Sequence, residues 1–419
     1  MNELFLERVK DYFDDYDSFL CKLNEPCTHG FFLNTKKALK NDILNLIDFE
    51  YKASPLTELS YYHFNDNIGK TKAYELGLIY PQEIAASIPS LLPDYSNIHT
   101  VVDLCSSPGG KTINVLNKLN DDAIVIANEY NYKRAQILSS NLERLGLFNV
   151  IITNKETKDL ADQLENFADL VILDAPCSGE GMIRKYPEIL DDYSINNIEK
   201  LASLQKNLLE DAYRILKGGG QLLYSTCTYA KEEDENQVND FVNRHQDLHL
   251  LKTDKLSPLD NTEGQFMALL VKDENDEKSH VKSLKTVRNK LVETFIKDNL
   301  YLDDYYLYSD ENRYYLSIVP LINIGFNVIR YAIPLGEIIN NRFEPFHALY
   351  RAVSLKNKYK RVYDLNDQEY LKFVSGEELK IGQNNGYYLV TYHNHSLGYG
   401  KCSNGILKNK YPKGLRRMI

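Results

Sequence analysis

The stretch "DLCSSPGGKT", residues 103–112, closes an apolar run with an acid and continues through Ser-Ser-Pro-Gly-Gly into a lysine. A strand, a tight turn and a helix are the natural reading of that order. It is not a phosphate-binding loop, because the glycine required five positions before Gly110 is replaced by Cys105. The dinucleotide fingerprint Gly-x-Gly-x-x-Gly is missing as well. Which ligand binds at this turn depends on the residues around it.

Outward from the turn, "TVVDLC", "AIVIANE", "NVIIT", "DLVILDA" and "GQLLYSTC" are short apolar runs bounded by turn residues. They alternate with helical patterns such as "RAQILSSNLERLG", expected to close at Gly146, and "SINNIEKLASLQKNLLEDAYRILKGGG", expected to close at Gly218–Gly220. Strand and helix in alternation, five times over, imply an α/β domain with a doubly wound, Rossmann-like parallel sheet. Ligands of such sheets sit beyond the carboxyl ends of the strands, so Asp103, Glu129, Asp174 and Thr226–Cys227 are expected along one edge.

Composition sets the outer limits. A chain of 419 residues, 43% of them hydrophobic, can bury several cores. It contains no apolar stretch of about 18 residues and no basic-then-apolar leader, which points to the cytoplasm and away from membranes. Six scattered cysteines form no metal-ligand pairs and are expected to be reduced thiols, with no metal site. A net charge of −10 argues against a broad nucleic-acid surface. Residues 397–419 are the exception, with six Lys or Arg, no Asp or Glu, and Tyr399 and Tyr411 interleaved.

The expected organisation is a mainly helical segment over 1–95, a catalytic domain over 96–272, an intermediate α+β domain over 281–355 and a small β-rich module over 356–419. The charged run "VKDENDEKSH", residues 271–280, reads as a linker.

Three features carry chemistry. Glu129 lies 20 positions beyond Gly109 at the end of the second run, where an acid bonds a ribose hydroxyl pair. Without a pyrophosphate loop, such an acid suits S-adenosylmethionine better than NAD. Cys177, three residues after Asp174, and Cys227, directly after Ser225–Thr226, each follow a strand end. Carbon 5 of cytosine is a poor nucleophile until a thiolate adds at carbon 6, and this is a reason for a cysteine beside a methyl donor. Asp174 is placed to bond the N3 and amino edge of the ring.

"DLCSSPGGKT", "DAPCSGEGMIRK" and "STCTYAKEEDENQV", in this order, resemble the motifs of the Nol/Nop/Sun family of RNA cytosine-5 methyltransferases. The resemblance implies a nucleophilic Cys227, with Cys177 assisting breakdown of the adduct. It implies a cofactor site made of Cys105, Ser106, Ser107, Pro108, Gly109, Gly110 and Lys111, with Glu129 on the ribose, Glu156 near the adenine and Asp174 near the methionine end. It also puts Lys185 near the target nucleotide. The chain departs from the family pattern at Phe32, where an arginine is common, at Ile84, where a proline is common, and at Glu156–Thr157, where Asp-Gly is frequent. "NVIRYAIPLGEIINNRFEPFHALYRA" and the closing residues resemble the RsmF-like 16S rRNA branch, which ends in a PUA-like RNA-binding module. The basic tail is therefore expected to contact RNA.

The expected function is methylation of cytosine carbon 5 in 16S rRNA or the small ribosomal subunit by a monomeric enzyme. Transfer RNA is the close alternative substrate. A catalytically silent RNA-binding assembly factor is the alternative of another class, and retention of Asp174, Cys177 and Cys227 together opposes it.

Overall fold

The computed structural model describes residues 2–417; residue 1 of the amino-terminal segment and residues 418–419 of the basic tail lie outside the described residues. Two short helices, Glu3–Val9 and Tyr16–Leu23, open the chain, capped by Asn2 and Asp15 side chains. The extended piece "HGFFLNT" becomes β1 (Gly30–Leu33). It is joined by β2 (Tyr51–Ala53), β3 (Ser60–His63) and β4 (Ile79–Pro81) in the order β2-β3-β1-β4. These partners have three or four residues each, too few for a period-2 alternation to stand out. Phe32 and Ile84, the two departures from the family pattern, are buried core side chains here.

The five apolar runs form β5 (Thr100–Asp103), β6 (Ile124–Asn128), β7 (Val150–Thr153), β8 (Ala168–Asp174) and β9 (Leu216–Thr226), all parallel in the order β7-β6-β5-β8-β9. Helices cover both faces, so neighbouring strand residues serve different cores. Val101 and Val125 pack with Leu138 and Leu142 on one side, while Val102 and Ile126 pack with Leu209 and Ala212 on the other. The helix Tyr132–Leu145 ends at Gly146, whose φ of 76° is the left-handed C-cap. The helix Ile195–Ile215, by contrast, does not run on to Gly218–Gly220. It stops at Ile215, and the glycines lie inside β9, where the register against β8 jumps from Leu216 to Gln221. The triple glycine thus marks a bulge, not a helix stop.

Two antiparallel strands, β10 (Leu248–Leu256) and β11 (Gln265–Lys272), extend the sheet beyond β9. The next segment contains β12 (Tyr306–Asp310), β13 (Arg313–Ser317) and β14 (Val328–Arg330), and β14 closes the far edge of the central sheet against β7. With β15 (Ile333–Ile339) and β16 (Arg342–Pro345), a second sheet runs β12-β13-β15-β16.

The closing module has β17 (Val362–Leu365), β18 (Leu379–Lys380), β19 (Gly386–Tyr392), β20 (His395–Ser403) and β21 (Ile406–Asn409) in the order β17-β19-β20-β21-β18. It does not stand apart. Phe31, Leu33 and Ile43 of the amino-terminal segment share one core with Tyr370, Phe373 and Val390. Glu75 is buried in this core, accepting hydrogen bonds from Tyr370 and from Tyr411 (2.8 Å) and pairing with Arg417 at 3.1 Å.

In the basic tail the two interleaved tyrosines are used internally. Tyr399 and Tyr411 are buried, and Tyr399 donates to the Pro345 carbonyl, so neither is free to stack on a base. Lys401, Lys408 and Lys410 remain exposed. Among the described residues no helix is long and apolar enough to cross a membrane.

Candidate active site

The turn 104–109 is built for close approach. Asp103 ends β5, and its Oδ2 accepts a 2.6 Å hydrogen bond from Thr112 of the following helix. Ser106 donates to the Asp103 carbonyl at 2.9 Å, and its own amide donates to Asn128 O at 2.8 Å, tying the turn to β6. Ser107 and Arg134 exchange hydrogen bonds of 2.9 and 2.7 Å. Gly109 has φ 115°, a conformation L side chains rarely adopt. A Cβ on Gly110 would sit 2.7 Å from Gln82 Nε2. Pro108 is exposed at the turn, and burial pushes the Cys105 thiol up.

The acids differ in their surroundings. Asp103 is 1% exposed and its Oδ1 has no hydrogen-bond partner. Burial raises its carboxyl to about 7, against the pull of the Thr112 hydroxyl. Asp174, at the end of β8, accepts from Ser225 at 2.9 Å and pairs with buried Lys111 at 2.8 Å. Glu129 is buried, accepts from the Asn131 amide at 2.9 Å and faces Arg134 at 3.5 Å. Glu156 sits apart from these, exposed at the start of the helix Thr157–Gln163. With exposed Tyr130 and Tyr132 it lines an open cavity of ≈ 720 Å³.

The cysteines meet. Cys177 and Cys227 come from loops following adjacent strands, and their sulfurs are 3.3 Å apart. The Cys227 amide also donates to Cys177 Sγ at 3.3 Å. The contact with Cys227, followed by burial, raises the Cys177 thiol well above its ordinary range. Around the pair, Glu233 accepts from Ser178 N (3.1 Å) and Gln205 (2.7 Å), and Glu180 accepts from Tyr193 and from Tyr229 N (3.1 Å).

Glu233 and Arg184 lie within the motif stretches "STCTYAKEEDENQV" and "DAPCSGEGMIRK" without a role read for them there, and Glu263 carried no sequence signal. Arg184 and Glu263 form a buried pair. The side chains are 3% and 0% exposed and form two hydrogen bonds of 3.0 and 2.8 Å. Arg184 also donates to Thr262 O and Lys22 O, joining the Cys177 loop to the β10–β11 connection and the amino-terminal helices. Next to it, Lys185 Nζ lies 3.9 Å from Glu83, whose carboxyl burial raises to about 7. Lys185 and Glu83 line a cavity of ≈ 1250 Å³ with His29, Tyr62 and His63 of the amino-terminal sheet. Among the described residues no group of three or more His, Cys, Asp or Glu is placed to hold a metal ion.

Residues 91–285 match the family model described as 16S rRNA methyltransferase RsmB/F, and residues 360–417 match the methyltransferase RsmF PUA domain. Ribosomal RNA small subunit methyltransferase F of Shewanella sediminis is 26% identical over 449 residues, spanning 96% of this chain and 93% of that protein. The protein of the same name from Escherichia coli O7:K1 is 32% identical over 230 residues, 52% of this chain and 48% of its own length. A solved methyltransferase homolog protein from Pyrococcus horikoshii superposes with a TM-score of 0.56 at 25% identity, covering 65% of this chain and 100% of that one.

Proposed function

The chain belongs to the RsmB/F family of S-adenosylmethionine-dependent 16S rRNA methyltransferases, and on that premise we propose that it methylates carbon 5 of a cytosine through a covalent adduct between Cys227 and carbon 6. The observation that carries this reading is the 3.3 Å approach of two thiols beside Asp174.

A thiolate at Cys227 adds to carbon 6 and moves electron density to carbon 5. Cys177 stays protonated and donates toward Cys227 Sγ, which stabilises the negative sulfur both before attack and as it departs. Asp174, fixed by Lys111 and Ser225, is available to the N3 and amino edge of the base. Loss of the carbon 5 proton to a base then lets Cys227 leave with the electron pair that bound it to carbon 6. We assign the nucleotide's approach to the cavity bordered by Lys185, because that lysine follows the Cys177 loop.

S-adenosylmethionine supplies an electrophilic methyl group when bound, and the residues present fit it. The unpartnered Asp103 Oδ1 suits its ammonium, the Cys105–Lys111 turn its amino-acid part and Glu129 its ribose. Glu156 with Tyr130 and Tyr132 suits the adenine.

A pH dependence follows. The Asp103 carboxyl titrates near 7 when folded and near 3.9 when unfolded, so its ionisation lowers stability as pH rises from about 4 to about 7. A bound ammonium reverses that cost. Cofactor affinity is therefore expected to rise by up to about tenfold per pH unit below pH 7, flattening above it. Calorimetry across pH should show the slope in the parent chain and none in Asp103→Asn.

The function itself is tested by mapping 5-methylcytosine in 16S and transfer RNA from cells with and without the gene. A single 16S cytosine that loses its methyl group supports the reading. A change confined to transfer RNA, or none, overturns it.

A further inference from the structure

We propose that the cavity between the amino-terminal segment and the closing β-module binds a backbone phosphate of the substrate RNA through Lys37, Lys356 and His395. The inference rests on the RNA methyltransferase reading for its ligand and on the geometry below for its place.

The cavity measures ≈ 630 Å³ and is lined from three parts of the chain: the turn after β1, the segment leading into β17, and the β19–β20 hairpin. Lys37 is 3% exposed, yet its Nζ reaches only a carbonyl, Ser396 O at 3.2 Å. Lys356, exposed at the mouth, donates to Lys37 O at 3.2 Å. Among the described residues neither lysine has a carboxylate within 4.0 Å. His395 is 8% exposed and its Nδ1 has no partner. Behind them, Arg351 is fully buried and directs both terminal nitrogens to backbone carbonyls of Ser396, Leu397, Glu75 and Arg144. The one acid lining the cavity is exposed Asp42, and exposed His393 adds a further basic group at the rim.

A chain of net charge −10 has thus set two lysines and two histidines around one cavity whose lining offers a single acid, Asp42. Desolvated cations facing one another are costly unless an anion joins them. Burial, with the charges of Lys37 and Lys356 adding to it, holds His395 at about 4. Burial, with the charges of Arg351, Arg144 and Lys356 adding to it, holds Lys37 well below its ordinary value. Asp42 pulls His395 the other way and His393 adds to the repulsion. An incoming anion removes the repulsion. A phosphodiester presents two acceptor oxygens and one negative charge, which matches unspent lysine donors and a free imidazole nitrogen. The substrate is a polymer of that group.

The test uses a labelled 16S rRNA transcript and anisotropy over a salt series, with inorganic phosphate as a separate arm. Lys356→Gln, exposed and safe for folding, is expected to weaken RNA binding about three- to tenfold and to reduce the slope of log affinity against log salt by about 0.7 to 0.9, while Lys356→Arg restores most of both. The His395 ring resonance should titrate at higher pH when the transcript is added. Wild-type affinity and slope in Lys356→Gln would overturn the proposal. So would a His395 response to inorganic phosphate with no change in RNA affinity, which would mark a free-phosphate site. If the parent chain itself fails to bind the transcript, the proposed function falls too; if the parent binds and methylates while Lys356→Gln binds equally well, only the cavity assignment falls.

Discussion

Cys227→Ala is expected to lose methyl transfer by about four orders of magnitude or more, because the reaction has no other route to a nucleophilic carbon 5. Cofactor and RNA should still bind, since neither set of contacts includes the sulfur. Cys177→Ala should behave differently. It keeps the attacking thiol but removes the donor 3.3 Å away that stabilises the leaving sulfur, so RNA should remain attached to Cys227. A denaturing gel with labelled RNA and cofactor, followed by peptide mapping, separates the two variants. An adduct in Cys177→Ala, mapped to Cys227 and absent from Cys227→Ala, is the expected pattern. The reverse pattern would make Cys177 the nucleophile. The thiolate is the attacking form, so adduct formation should quicken as pH rises.

Arg184→Ala should cost about 3–5 kcal/mol of stability, the largest effect expected from any change outside the reacting groups. Removing the guanidinium leaves Glu263, 0% exposed, as an unpaired buried charge and frees the Thr262 and Lys22 carbonyls. Urea unfolding followed by circular dichroism should show the midpoint fall sharply. Adding Glu263→Gln to the same chain should recover part of the loss, because the stranded charge is gone. A midpoint within about 0.5 kcal/mol of the parent for Arg184→Ala would show that the pair positions the Cys177 loop without stabilising it.

Much of the catalytic domain was legible because its signals are local. A parallel strand buried on both faces must be a short apolar run, and the turn after β5 must carry glycine where φ is 115°. Helix periodicity likewise marked the helix from Arg134 to its Gly146 cap, two residues short of its start at Tyr132. Local signals also misled. Triple glycine after a long helix reads as a stop, but whether Gly218–Gly220 end a helix or bulge a strand depends on the register against β8, which lies far away in sequence.

The sequence by itself determined the chemistry on offer: which acids and thiols follow which strands, and the order of the motifs around Cys105–Lys111, Asp174–Cys177 and Thr226–Cys227. Only the tertiary structure decided how those groups act on one another. The contact between Cys177 and Cys227 and the burial of Arg184 against Glu263 join residues distant in the chain, and the packing around Asp103 leaves one of its oxygens unpartnered. The basic tail is the plainest case. Its composition suggested a free RNA-binding surface, yet Tyr399, Tyr411 and Arg417 are used internally, in packing against the core and in bonds to Pro345 and Glu75. Charge and aromaticity are properties of a residue, whereas exposure and pairing belong to the fold, because they depend on which segments happen to meet.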